Sequence, residues 1–110
     1  MNNPQYMSGT GNNFLVSEYE NSKTDIEIIS IVADSLFDID GVIYVEKIDS
    51  LTVKMHYYNN DGSTAELCVN GIRCVAKYAL DNSIVDSNEL TVLAPIGNIK
   101  TNIKDNTVSI

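Results

Sequence analysis

Apolar residues along this chain recur at helical spacing in two regions and at strand spacing in the others. The clearest helical pattern begins at Val69, where apolar residues follow one another at intervals of three and four positions. This spacing predicts a helix of about three turns over residues 69–80. Its apolar members are Val69, Ile72, Val75, Ala76, Ala79 and Leu80.

A second helical pattern follows a capping signal. Thr24 and Glu27 have the spacing of a capping box, in which each side chain accepts a hydrogen bond from the other residue's backbone N–H. We predict a helix over residues 25–35 that serves packing and carries no chemistry. Its predicted apolar stripe consists of Ile26, Ile28, Ile29, Val32, Ala33 and Leu36.

The other apolar runs are rich in β-branched and aromatic residues, which favours strands. Residues 41–47 and 51–58 are joined by a short polar link and predict a hairpin. Further strands are predicted at residues 89–94, 99–104 and 107–110.

The N-terminal region shows a weaker pattern. Residues 1–6 are interpreted as a frayed lead-in, and residues 8–13 as a small polar loop before an edge strand that starts at Phe14. No lysine follows the glycines of this loop, which argues against a phosphate-binding loop. Together, the helices and strands predict a single α+β domain over residues 1–110.

Composition narrows the range of functions. With 110 residues, 44% of them hydrophobic, the chain can bury one core. Seven basic and fifteen acidic residues give a net charge of −8, and such a surface repels nucleic-acid phosphates and anionic lipid headgroups. No apolar run reaches the roughly 18 residues that cross a bilayer, and the N-terminus lacks a signal-peptide pattern. We therefore expect a cytoplasmic protein that binds neither nucleic acid nor membrane.

The two cysteines need separate explanations. Cys68 and Cys74 are six positions apart, too far along one helix and pointing in different directions for a disulfide. With a single histidine, His56, on a predicted strand, a zinc site is not indicated either. Cys68 lies at the predicted N-terminus of a helix, where backbone N–H groups and the helix dipole stabilise a thiolate. It can then act as a base or a nucleophile, and the alternative is a small buried hydrophobic residue.

Two segments resemble signatures of the diaminopimelate epimerase family. Residues 59–78, NNDGSTAELCVNGIRCVAKY, resemble the segment around the family's first catalytic cysteine, and residues 7–14, MSGTGNNF, resemble its N-terminal signature. The resemblance covers nearly the whole chain. It implies the N-terminal domain of a two-domain enzyme whose C-terminal domain is absent here, with a mixed β-sheet curled around a central helix and a second helix besides.

The resemblance also implies a reaction and its residues. Enzymes of this family convert LL-diaminopimelate to meso-diaminopimelate, for lysine and peptidoglycan precursor synthesis, without a cofactor or metal. One cysteine thiolate removes the α-proton, and a second cysteine, from the other half, returns a proton to the opposite face. Cys68 corresponds to one catalytic cysteine. The substrate-binding positions correspond to Asn12, Asn59, Val69 and Asn70, the last two through their backbone N–H groups.

The chain departs from the family pattern at several positions. Val69 replaces a glycine, Ser8 a histidine and Asn13 an aspartate, and residues 36–39 replace a glycine-containing segment. No second cysteine motif is present, so we expect this half alone to be inactive. The alternative hypotheses are a non-catalytic binding module, a subunit of a split enzyme, or a racemase or isomerase of another amino acid.

The sequence ends inside a predicted strand, which suggests a fragment or an isolated domain. An unpaired strand edge and the apolar surface that the other half would cover both favour self-association, so we expect a homodimer. The net charge of −8 opposes this association at low salt, and the alternative is a monomer.

Overall fold

The computed structural model describes residues 2–9, 11–64 and 69–110. The helices and strands of this part of the chain follow one another in the order β1 (Asn2–Gly9), β2 (Asn12–Glu18), α1 (Asp25–Ala33), β3 (Gly41–Asp49), β4 (Thr52–Asn59), α2 (Val69–Asp81), β5 (Glu89–Ala94), β6 (Gly97–Lys104) and β7 (Thr107–Ser109).

The strands form one mixed sheet, in which they lie side by side in sequence order from β1 to β7. β2 and β3 run parallel, as do β4 and β5, and all other neighbours are antiparallel. The predicted hairpin of β3 and β4 is confirmed. The sheet curls so far that α2 contacts every one of its strands. The predicted α+β fold, a mixed sheet around a central helix with a second helix, is therefore confirmed.

Helix α2 fills the concave side of the sheet. Its residues at three- and four-residue spacing form one apolar face, as the sequence predicted, and this face packs on buried side chains of the strands. Val69, the first of the predicted stripe, is 43% exposed. The central packing residues of α2 are Ile72, Val75, Ala76 and Ala79, which meet Phe14, Val16, Ile43, Val53 and Val92.

Helix α1 covers the opposite face of the sheet. Its predicted capping box is confirmed, with Glu27 N donating to Thr24 Oγ1 and Thr24 N donating to Glu27 Oε2. The predicted stripe is wrong in part, because Ile28 is fully buried whereas Ile26 is 75% exposed. Six of the nine positions of this helix are apolar and they are spread around its circumference, so spacing alone could not show which face packs. The helix also ends at Ala33, earlier than predicted.

The observed structure of the N-terminal region differs from both predictions made for it. Instead of a frayed lead-in, Asn2–Gly9 forms β1, which pairs with β2. Tyr78 of α2 also fastens this strand, because its hydroxyl donates to Asn3 O at 2.6 Å. β2 is not an edge strand, since it lies between β1 and β3. The side chains of β1 are mostly exposed, so they show no apolar period by which the strand could have been recognised.

Neither of the described helices is long and apolar enough to cross a membrane.

Candidate functional site

Two of the predicted site residues meet at the first turn of α2. Asn12 begins β2, and Asn70 is the second residue of α2. The Asn70 side chain donates from Nδ2 to Oδ1 of Asn12 at 2.8 Å, across 58 positions of sequence. The contact is partly buried, so it joins the β1–β2 hairpin to the start of the central helix.

Gly9 lets the hairpin approach α2 closely. A Cβ built on Gly9 would lie 2.6 Å from the Cβ of Asn70, nearer than two nonbonded carbon atoms can come. Gly9 is also paired with Asn12 across the hairpin. Any side chain at this position would therefore push the hairpin away from the helix and stretch the bond between the two asparagines.

Asp40 ties the same hairpin to the start of β3. Asn13 N donates to Asp40 Oδ2 at 2.8 Å, and Asp40 N donates to Asn13 O at 2.8 Å. The carbonyl of Asp40 accepts a bond from Asn60 N at 3.1 Å. Three segments are thus fixed at one end of the sheet. The sequence analysis gave Asp40 no role. Its position directly before Gly41, the glycine that opens β3, is the feature of the sequence that could have pointed to it.

Asn59 lies at this same end of the sheet, at the end of β4. It is paired with Gly41 of β3, and Gly41 is paired with Phe14 of β2. Two strand spacings of about 4.8 Å each therefore place Asn59 roughly 10 Å from β2. Asn59 is held by Ser63, which accepts bonds from Asn59 N at 2.8 Å and from Asn59 Nδ2 at 3.0 Å.

The turn after Asn59 is stabilised by its own side chains. Ser63 donates to Asp61 Oδ1 from Oγ at 2.6 Å and from N at 2.9 Å, and the side-chain bond is the main cause that lowers the pKa of Asp61. Gly62 has a φ of +87° and packs on the backbone of Asp25, so a side chain would be strained and would collide there. The turn is thus anchored on the start of α1.

Residues 65–68 follow this turn and lie outside the described residues. The predicted catalytic residue Cys68 is among them, and its role stays a prediction. Val69 and Asn70, predicted to offer backbone donors, are the first two residues of α2. This position suits the role, because the positive end of the helix dipole lies at the N-terminus and favours negative charge. Cys74 lies further along α2 and is buried, as predicted.

A groove of about 810 Å³ opens beside Asn70, between β1, α2 and β7. Helix α2 lines it with four residues spaced at i, i+3, i+4 and i+7, which are Asn70, Arg73, Cys74 and Lys77. Sequence reasoning did not single out the two basic residues, since their grouping depends on the curl of the sheet. Within the described part of the chain, no group of three or more histidine, cysteine and acidic side chains could hold a metal ion.

Comparison with known proteins agrees with the sequence resemblance. A sequence profile described as diaminopimelate epimerase matches residues 5–110. The chain is 43% identical over 90 residues to a diaminopimelate epimerase of Agathobacter rectalis, covering 78% of this chain and 32% of that protein. For the Bacillus mycoides diaminopimelate epimerase the identity is 34% over 112 residues, which cover 94% of this chain and 39% of that protein. For the Thermotoga maritima diaminopimelate epimerase it is 36% over 99 residues, which cover 89% of this chain and 42% of that protein. The chain thus spans less than half the length of these relatives.

Solved structures with a similar fold come from a different group of proteins. A putative phenazine biosynthesis PhzC/PhzF protein from Clostridium difficile superposes with a TM-score of 0.68 at 11% identity, covering 88% of this chain and 36% of that one. The Bacillus anthracis phenazine biosynthesis protein of the PhzF family superposes with a TM-score of 0.65 at 15% identity, covering 94% of this chain and 36% of that one. At such low identity the likeness shows a shared fold alone.

Proposed function

Since this chain belongs to the diaminopimelate epimerase family, we propose that it supplies one half of the active site of an amino-acid epimerase. The proposed substrate is LL-diaminopimelate, and the proposed product is meso-diaminopimelate. This assignment rests on family membership over residues 5–110 and on the arrangement of the site residues that the structure describes.

In the proposed reaction, the thiolate of Cys68 removes the α-proton from one face of the substrate. The electron pair of the broken C–H bond stays on the substrate, and a thiol on the opposite face donates a proton to the same carbon. A hydrogen beside a carboxylate is very weakly acidic, so the developing charge needs donors that are already in position. The backbone N–H groups of Val69 and Asn70, at the start of α2, are proposed for this role.

The hydrogen bond between Asn70 and Asn12 carries the proposal. It joins the two segments that resemble the family signatures, at the turn of α2 that directly follows Cys68. An asparagine amide has two donor hydrogens and an acceptor oxygen. With its oxygen turned to Asn70, Asn12 keeps its Nδ2 group to donate to a substrate carboxylate. Asn59, at the same end of the sheet, is proposed to contact the more distant part of the substrate.

A two-base reaction needs a proton-transferring group on each face of the substrate. Cys74 does not fit the second role, because it is buried on the same helix that follows Cys68. We propose that the second cysteine comes from a further half of the enzyme, because this chain covers less than half the length of its relatives. The described half alone is then unable to invert the substrate.

A chimeric enzyme tests this proposal. Residues 1–110 would replace the matching segment of the Agathobacter rectalis relative, and the product would be incubated with LL-diaminopimelate in D₂O. Deuterium at the α-carbon, together with chiral chromatography, reports both proton removal and inversion. We expect inversion by the chimera, its loss in Cys68→Ala and its retention in the matched variant Cys74→Ala. A folded chimera that does not invert, or a Cys68→Ala variant that does, contradicts the proposal.

A further inference from the structure

Asp40 lies at the end of three adjacent strands, on the strand in the middle. It directly precedes Gly41 of β3, whose partners across the sheet are Phe14 of β2 and Asn59 of β4. Its own side chain is exposed. Asp40 is therefore placed between the strand that begins with one proposed substrate contact and the strand that ends with another.

The chain on either side of Asp40 is bonded to it one residue beyond a proposed substrate contact. Asn13, which follows Asn12, donates from N to Asp40 Oδ2 and accepts at its O from Asp40 N, both at 2.8 Å. Asn60, which follows Asn59, donates from N to Asp40 O at 3.1 Å. One residue thus links the backbone beside Asn12 to the backbone beside Asn59.

The Asp40 carboxylate supplies a hydrogen-bond acceptor where the pairing of two strands begins. β2 and β3 pair in parallel from Phe14 and Gly41 onward. Asn13 lies one residue before this pairing, and its N–H finds its acceptor on a side chain. Hydrogen bonds to a charged acceptor are stronger than those between neutral groups. The carboxylate therefore holds the end of the β1–β2 hairpin against β3.

On its other side, Asp40 is fixed by packing. A Cβ on Gly41 would collide with the ring of Tyr57 and would lie 2.8 Å from Tyr58 O, so β3 runs very close to β4 directly after Asp40. The position of Asp40 relative to β4 thus depends on the backbone. Its hold on the hairpin depends in part on its side chain.

We propose that Asp40 is a positioning residue, which holds Asn12 at the separation from Asn59 that the substrate requires. It acts through Asn13 and does not touch the substrate. Diaminopimelate has a carboxylate and an amino group at each end, so its binding depends on the separation of contacts that reach different parts of it. This inference rests on the proposed function, which makes the two asparagines substrate contacts.

Two neighbouring hydrogen bonds do not set this separation. Ser8 Oγ donates to Asn13 Oδ1 at 2.8 Å, but this bond joins only the two strands of the hairpin. Asn60 Nδ2 donates to Ile39 O at 3.4 Å, and this long bond lies on the β4 side, where packing already fixes the chain. Neither of them connects the hairpin to β4.

Kinetics of the chimera of residues 1–110 with the Agathobacter rectalis relative test the inference. Asp40→Ala should raise KM for LL-diaminopimelate by about three- to tenfold. It should leave kcat within about twofold, because the displaced contacts bind the ground state and the transition state alike. Asp40→Asn keeps an oxygen acceptor for Asn13 and should restore KM. Asp38→Ala removes another exposed carboxylate between α1 and β3, and as the matched control it should change neither constant.

A second measurement, on the 110-residue chain itself, needs no activity. In NMR spectra the side-chain amide of Asn70 reports its bond to Asn12, and that of Asn59 reports the β4 side. Asp40→Ala should shift the Asn70 signal, because the hairpin moves, and leave the Asn59 signal in place. The two other variants should shift neither signal. Because Asp40 is exposed, its substitution should leave the chain folded.

Three outcomes overturn the inference. A lower kcat at unchanged KM in Asp40→Ala shows a loss of folded enzyme only. An Asp40→Asn variant as impaired as Asp40→Ala shows that the charge itself acts on the substrate. An unshifted Asn70 signal in Asp40→Ala shows that the side chain does not hold the hairpin. If the chimera with Asp40 intact is inert, the proposed function fails, and the amide signals still decide whether Asp40 positions Asn12.

Discussion

The side chains of Asn70 and Asn12 share a hydrogen bond of 2.8 Å at the point where α2 begins and the β1–β2 hairpin turns. The bond depends on the absence of a side chain at Gly9, because a Cβ there would lie 2.6 Å from the Cβ of Asn70. Packing and hydrogen bonding therefore fix the same contact, and each can be tested by a separate substitution.

Removing either asparagine should weaken the fold modestly. We expect Asn12→Ala and Asn70→Ala each to lower the free energy of unfolding by about 1 kcal/mol, because each leaves the partner amide without its bond. In a double-mutant cycle the two changes should couple by about 0.5–1.5 kcal/mol. Urea denaturation measures all four proteins. Asn98→Ala, at an exposed position on β6, is the matched control, and simple additivity of the two site variants contradicts the contact.

A side chain at position 9 should separate the hairpin from the helix. Gly9→Ala places a methyl group against Asn70, and overpacking of this kind costs about 1–3 kcal/mol. Asn70→Gly removes the atom that it meets. In the Asn70→Gly background the same alanine should therefore cost clearly less, as measured by thermal unfolding. An equal cost in both backgrounds shows that the close approach is not the cause.

The sequence predicted the helix that carries part of this site, because the helix shows in the spacing of neighbouring apolar residues. The apolar period from Val69 onward identified α2 because its buried face is flanked by polar residues. The same reasoning could not choose the packed face of α1, where Ile26 and Ile28 are equally apolar and only the second is buried. The apolar pattern cannot identify the packed face of a helix when apolar residues occur on several of its sides.

Contacts between distant segments could not be read from the sequence. The bond between Asn12 and Asn70 exists because the sheet curls until β1 lies on α2, and no local pattern encodes that curl. β1 itself was missed for a related reason, since it is held by pairing with β2 rather than by an apolar face of its own. The grouping of Arg73 and Lys77 in the groove beside Asn70 has the same origin.

Tyr44 is a buried residue whose hydroxyl has no hydrogen-bond partner among the described residues. Because an unsatisfied buried hydroxyl is unfavourable, Tyr44→Phe should leave the protein as stable at neutral pH or stabilise it by up to about 1 kcal/mol. Tyr78→Phe is the matched control. It should cost about 1 kcal/mol, because the Tyr78 hydroxyl donates to Asn3 O at 2.6 Å. A clear loss of stability in Tyr44→Phe contradicts the structure.

The same tyrosine should respond to alkaline pH. Burial, with smaller contributions from Glu20, Tyr58 and Glu27, raises the pKa of Tyr44 from 10.0 to about 12. The folded state therefore holds this proton more tightly than the unfolded state. Below pH 10 the tyrosine does not change the free energy of unfolding with pH, and between pH 10 and about 12 it lowers that free energy progressively. Relative to wild type, Tyr44→Phe should gain about 2–3 kcal/mol across that interval. A constant difference between the two proteins would show that the hydroxyl does not titrate in this range.

The predicted homodimer can be tested at a specific exposed surface. Phe37 is 63% exposed and packs edge-on against Tyr6, with 5.0 Å between ring centroids, and Leu36 N donates to the Tyr6 hydroxyl. Exposed apolar side chains grouped in this way favour association. Sedimentation at micromolar concentration should show a dimer that strengthens with salt and weakens in Phe37→Ser, but not in the exposed control Ile96→Ser. A single 12.1 kDa species at every concentration rejects the dimer.

The central claim is that Cys68 provides a reactive thiolate while Cys74 is a packing residue. Iodoacetamide labelling of the intact chain across pH, followed by peptide mapping, tests this most directly. The account predicts alkylation at Cys68 alone, with a midpoint well below the ordinary thiol pKa of about 8.5, and labelling of the buried Cys74 only after unfolding. Labelling of Cys74 in the folded protein, or a midpoint for Cys68 at or above the ordinary thiol pKa, would contradict the account.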